Sequence, residues 1–243
     1  MCSMTDLETP ASTSRDAFLD GRLILEQPRR GHRIGHDALL LAGLAREEDR
    51  AIADFGAGVG GAGLAALIAH PQARAVLVER ETDIAALAAR NVMRNGLDGR
   101  CTVLCADVEH LNRKGGAALE PVDLVLANPP FNLTRAHRVS PDAARARAHM
   151  AEEGLLAAWV VAAARCLKPA GRLGLILRPS ELPLVFQALQ GRFGALEIQG
   201  VHSHPGRPAV RLLLRAIKGR RTPPSLLPGV VLSAGDRLEP SGD

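Results

Sequence analysis

AIADFGAGVGGAGLAALIAH, residues 51–70, is the stretch on which the fold turns. Apolar residues run from Ala51 to Phe55, and glycines at 56, 58, 60 and 61 stop the run. A helical segment follows at once. Strand, glycine turn and helix form the opening unit of an open α/β sheet. Glycines let the backbone turn tightly there, and let a ligand approach the main chain.

The alternation continues downstream. ARAVLVE (73–79) reads as a strand, and TDIAALAARNVMRNG (82–96) as a helix with Thr82 or Asp83 as cap and Gly96 as stop. CTVLCAD (101–107) and VDLVLANPPF (122–131) are further strands, the second running into a loop. EEGLLAAWVVAAARCLKPAG (152–171) reads as a long apolar helix ending at Lys168-Pro169, with Trp159 in the core. RLGLILRP (172–179) is a strand, and SELPLVFQALQGRF (180–193) contains a helix. ALEIQGVHSH (195–204) and AVRLLLRAIKG (209–219) are joined by a short Pro/Gly loop, so they are expected to pair antiparallel. Upstream, Leu23–Leu25 is a short strand, and Asp37 is expected to cap a helix from Ala38 to Ala45. The expected fold is therefore α/β: a mostly parallel sheet with an antiparallel C-terminal strand and helices on both faces. The polar residues 1–18 read as a disordered arm, 19–219 as the one domain, and the Pro/Gly-rich 220–243 as a loosely attached tail.

Composition narrows the function. Of 243 residues, 47% are hydrophobic, enough for a sizeable core. No apolar run is long enough to span a bilayer, and the start lacks the basic end and apolar stretch of a signal peptide. A cytoplasmic protein with no membrane partner is expected. The four cysteines make no CxxC pair and read as small hydrophobes; no metal site is expected. The net charge of +4 hints at an anionic partner. With no tyrosine, an RNA-binding sheet built on several exposed rings is disfavoured.

Two nucleoside cofactors compete for the glycine loop. Gly56, Gly58 and Gly61 satisfy the dinucleotide pattern GxGxxG, and Glu79 ends the second strand, where an acid can accept from two ribose hydroxyls. Asp54, directly ahead of Gly56, would repel a pyrophosphate. It suits the cationic amino and sulfonium groups of S-adenosylmethionine instead. Asp107, at the end of the third strand, can accept from an adenine amine or cap the next helix. The candidate cofactor set is Asp54, Gly56, Gly58, Gly60, Glu79 and Asp107.

Asn128-Pro129-Pro130-Phe131 follows the fourth strand, where open α/β sheets bind ligands. The prolines stiffen the loop. The Asn128 side-chain oxygen and the Pro129 carbonyl can each accept a hydrogen bond from an amine, and Phe131 can stack on a flat base. Such a clamp suits methyl transfer to an exocyclic amino nitrogen, because it frees a lone pair otherwise delocalised into the ring. The bland alternative is a rigid turn with Phe131 in the core.

As a set, DFGAGVGGAG, Glu79, CAD at 105–107 and ANPPF resemble class I S-adenosylmethionine-dependent methyltransferases that act on planar amino groups. QPRRGHRIGHDALLLAGLA (27–45), residues 149–179 and RAIKGRR (215–221) further resemble the tRNA(Val) adenine-37 N6-methyltransferase family. The resemblance implies a seven-stranded Rossmann-like sheet, S-adenosylmethionine as cofactor, and N6 of an adenine in tRNA as substrate. That family often has Tyr where this chain has Phe131. The family is similar in turn to the glutamine N5-methyltransferases of release factors, which usually carry a sizeable N-terminal domain; only some fifty residues precede the glycine loop here. A non-catalytic RNA-binding module is the alternative from another class. Basic residues offer RNA contacts: Arg135, Arg138, Arg145 and Arg147 after the turn, and Arg29, Arg30, His32 and Arg33 before the first helix.

Overall fold

A computed structural model describes residues 13–30, 33–130 and 141–232, with backbone alone over 141–153. The chain opens with a hairpin, β1 (Thr13–Phe18) and β2 (Leu23–Pro28), and a short helix, α1 (His36–Ala42). The alternating unit follows: β3 (Ala51–Phe55), α2 (Gly61–Ala69), β4 (Arg74–Glu79), α3 (Thr82–Arg94), β5 (Cys101–Cys105) and β6 (Val122–Ala127). Then come α4 (Pro141–Cys166), β7 (Leu167–Leu177), α5 (Leu182–Leu189), β8 (Phe193–His202), β9 (Ala209–Lys218) and β10 (Ser225–Val231). The main sheet runs in the order β10-β8-β9-β7-β6-β3-β4-β5. Only β9 is antiparallel to its neighbours.

Strand residues feed two cores alternately, as a period of two requires when both faces are covered. Ile52, Leu124 and Leu126 face α1, α2, α3 and the hairpin; Ala53, Phe55, Val125 and Ala127 face α4 and α5. The chain order crosses over at β3, leaving β4 and β6 on opposite sides of it. This is the Rossmann-like methyltransferase fold, and the crossover opens the ligand crevice at the strands' carboxyl ends.

Several expectations need correction. The sheet has eight strands rather than seven, because Ser225–Val231 leaves the supposed tail and pairs in parallel with β8. SLLPGVV carries no apolar alternation; backbone bonds to a free sheet edge make it a strand. The arm is not disordered through residue 18, since Thr13–Phe18 pairs with β2. Asp37 does not cap α1, whose N-cap is Gly35. Its carboxylate instead accepts from Arg211 Nε at 2.9 Å, a charge that a distant strand supplies. Glu81, not Thr82 or Asp83, is the N-cap of α3. The long helix begins at Pro141 and stops at Cys166, before Lys168-Pro169. Cys101 and Cys166 are buried, but Cys105 is exposed at the strand's end.

Candidate active site

Register assembles the site. Phe55 lies opposite Val78 on β4 and opposite Ala127 on β6, and Glu79 lies opposite Cys105 on β5. The next residues out, Gly56, Glu79, Cys105 and Asn128, therefore emerge side by side at the carboxyl edge.

The glycine loop divides its labour. Gly56, Gly58 and Gly60 all have positive φ, at 63°, 57° and 96°. A Cβ on Gly56 would sit 2.5 Å from Trp159 Cη2, so this glycine makes room for the indole of α4. On Gly60 a Cβ would press on Leu77 and Leu64. On Gly58 it would meet nothing within 4 Å. Gly58 alone among the three opens to free space, which fits a ligand lying against the main chain. Gly61 and Gly63 are packing glycines: Cβ atoms there would strike Ile34 and Leu77. Gly63 lets α2 approach the strands closely, and Gly61 leaves room for Ile34 and α1.

Glu79 is buried and braces the loop. One carboxylate oxygen accepts from Gly58 N at 2.9 Å, the other from Glu81 N at 2.9 Å. An ionised carboxylate has about four acceptor positions, so two remain for hydroxyls of a ribose. Asp54 lies deeper, 3% exposed, and accepts from Gly63 N at 2.7 Å. Burial, with the Glu79 charge adding to it and the Gly63 amide opposing it, pushes the Asp54 carboxyl up to about 7. Asp107 caps the 3₁₀ turn Val108–His110 through Glu109 N at 2.9 Å, the capping role, with its side chain still 39% exposed. These acids and the open face of Gly58 suit a nucleoside carrying positive charge.

Asn128 is exposed beside Gly56, while Pro129 is buried and anchors the turn. The Asn128 side chain has no hydrogen-bond partner among the described residues. Phe131, Arg135 and Arg138 lie outside the described residues, and Arg145 and Arg147 fall where the backbone alone is described. Among the described residues no cluster of His, Cys, Asp or Glu could hold a metal, and no helix is long and apolar enough to cross a membrane.

The sequence reading missed two contributors. Trp159, a core residue by its sequence setting, is buried, but it also underlies Gly56. Asn91, fully buried on α3, donates to Val59 O at 3.0 Å and so holds the glycine loop. A buried asparagine in the apolar stripe of α3 was the available signal.

A scan of protein families matches residues 35–202 to the methyltransferase small domain. A search of curated proteins found no match. Among solved structures, a predicted O-methyltransferase from Agrobacterium tumefaciens is 32% identical, covering 80% of this chain and 86% of that one, with a TM-score of 0.67. The Thermus thermophilus 16S rRNA N2 G1207 methyltransferase RsmC, in complex with AdoMet and guanosine, is 22% identical over 85% of this chain, with a TM-score of 0.57. TrmN from Thermus thermophilus is 23% identical over 75%, with a TM-score of 0.54. This chain spans about half the length of each Thermus protein. At these identities the two Thermus proteins share the fold alone. The match over 35–202 and the crevice geometry agree, and the chain belongs to the methyltransferase small-domain family, as a methyltransferase that uses S-adenosylmethionine.

Proposed function

We propose that this protein transfers a methyl group to an exocyclic amino nitrogen of an RNA base, N6 of an adenine in tRNA being the first choice. The observation that carries the reading is the exposed Asn128, next to the glycine loop, on a turn that the buried Pro129 stiffens. Asp54, Gly56, Gly58, Gly60, Glu79 and Asp107 form the cofactor wall. Glu79 takes the ribose, Gly58 gives the close approach, and Asp107 offers Oδ2, which lies 4.0 Å from His110 Nδ1, to the adenine amine. Asp54 sets the field beneath the loop.

Bound S-adenosylmethionine supplies an electrophilic methyl whose leaving group is a neutral thioether, so placement and electrostatics carry the rate. The chain's part is to present the nucleophile. Asn128 Oδ1 and the Pro129 carbonyl each accept one N–H of the target amine. That draws the nitrogen toward a pyramidal shape and aims its lone pair. Pro130 keeps the turn rigid, and Phe131 stacks on the base. Methylation would leave a surplus proton on the nitrogen, which Asn128 Oδ1 and the Pro129 carbonyl would hold by hydrogen bond until water takes it. Arg135, Arg138, Arg145 and Arg147 follow the turn in sequence and are assigned to RNA phosphates. RsmC illustrates the same scaffold serving a guanine amine on RNA, although its likeness extends to the fold alone.

The test is methyl transfer from labelled S-adenosylmethionine to total tRNA from a strain lacking this protein, followed by nucleoside analysis. N6-methyladenosine is the expected product. A 2′-O-methylnucleoside would move the reaction to oxygen, and label in protein rather than RNA would favour glutamine methylation.

A further inference from the structure

The hairpin β1–β2 stands outside the main sheet, yet it is bolted to the cofactor site. Two asparagines, Asn91 on α3 and Asn95 at its C-cap, act as surrogate strand residues. Asn91 exchanges hydrogen bonds with both backbone groups of Glu26, at 2.7 and 2.9 Å. Asn95 does the same with Ile24, at 2.9 and 2.8 Å. The spacing works because four helical residues advance about 6 Å and two strand residues nearly 7 Å. Buried Glu26 adds ion pairs to Arg90 and Arg94. The third bond of Asn91, to Val59 O, reaches into the glycine loop.

The pairing also sets direction. β2 passes Asn95 first and Asn91 second, so it runs toward the N-terminal end of α3, which follows the carboxyl end of β4. Arg29 and Arg30 come immediately after β2 and are exposed. Beyond them Gln27 Oε1 accepts from Ile34 N at 2.8 Å, and Ile34 packs over Gly61 at the head of α2. Their neighbour Arg33 is spent on Asp16, at 2.8 Å. Arg29 and Arg30 have no partner among the described residues.

We propose that the β1–β2 hairpin is a phosphate-docking arm that holds Arg29 and Arg30 at the mouth of the cofactor crevice for the RNA backbone beside the target base. This rests on the RNA reading above. Phosphate contacts position a nucleic acid without reading it, and a rigid arm fixed to the cofactor loop delivers that positioning to the reacting atoms.

The experiment compares the full-length chain with Arg29→Glu/Arg30→Glu and with a charge-matched control, Arg50→Glu/Arg192→Glu, at the opposite edge of the sheet. The probe is the same tRNA, and the readouts are kcat/KM, its dependence on salt, and S-adenosylmethionine affinity by calorimetry. The arm variant should lose at least about tenfold in kcat/KM, chiefly through KM, and its salt slope should flatten by about one to two phosphates' worth. Its cofactor affinity should stay within about twofold, which separates lost docking from lost folding. Equal losses in both variants, or an arm variant with unchanged KM and slope, would overturn the proposal while RNA methylation stands. Wild-type protein that methylates no RNA would bring down the RNA reading and the arm with it.

Discussion

Gly56 and Gly58 sit two residues apart with φ of 63° and 57°, yet alanine should separate them. At Gly58 the new methyl meets open space, so the cost is about 1–2 kcal/mol of left-handed strain, and cofactor affinity should suffer more than stability. At Gly56 the methyl would also strike Trp159, adding about 1–3 kcal/mol of overpacking. Denaturant midpoints and calorimetric affinities of the two variants should rank in opposite order. Asn128→Ala should reduce methyl transfer at least about 100-fold, the scale of a lost transition-state hydrogen-bond partner, with cofactor affinity nearly intact. Full activity in that variant would remove the amine clamp. Asp54, pushed up to about 7, gains charge as pH rises through neutrality. Affinity for the cationic cofactor should therefore tighten from pH 6 to pH 8, and Asp54→Asn should flatten that rise in calorimetry.

At the scale of elements, the hairpin's hold on α3 is the feature that local patterns hide. Asn91→Ala would strand both buried backbone groups of Glu26, at a cost of roughly 2–3 kcal/mol. Asn95→Ala touches Ile24, which is 41% exposed, so water can replace the lost amide and the cost should be under ~1 kcal/mol. Hydrogen exchange should show β2 and the Val59 turn opening together in Asn91→Ala, and β2 fraying at Ile24 alone in Asn95→Ala. Equal exchange in both variants would mean that the glycine loop does not depend on Asn91. The apolar stripe of α3 was legible from the sequence, as was its stop at Gly96, which takes φ of 63°. The partner of Asn91 was not, because β2 lies some sixty-five residues away.

For the whole molecule, pH acts through opposing carboxylates. Burial raises Asp16, Glu26 and Asp123, but hydrogen bonds and the charges of Arg33, Arg90 and Lys168 more than offset it, leaving all three below their ordinary values. Their stabilisation is present above the ordinary carboxylate range and is lost as pH falls through it. Asp54 works the other way: its contribution is full below 3.8 and is lost as pH rises toward about 7. Tm should thus peak near pH 5, fall steeply in acid and slip gently toward neutrality. Asp54→Asn should remove the gentle limb. An unchanged slope between pH 5 and 7 would mean that Asp54 ionises normally in the fold.

By itself the sequence determined the alternation of strands and helices, the glycine turn after β3, the acids at strand ends and the Asn-Pro-Pro turn after β6. Each is a local signal: periodicity, backbone freedom, or a residue type next to a chain reversal. Tertiary structure decided what depends on distant partners. It converted Asp37 from a cap into a partner of Arg211, and residues 225–231 from tail into an edge strand. It gave Gly56 to Trp159 and left Gly58 facing open space. It also tied the hairpin to the glycine loop through Asn91. Hydrogen bonds and packing across long sequence separations leave no periodic trace, so only the folded chain discloses them.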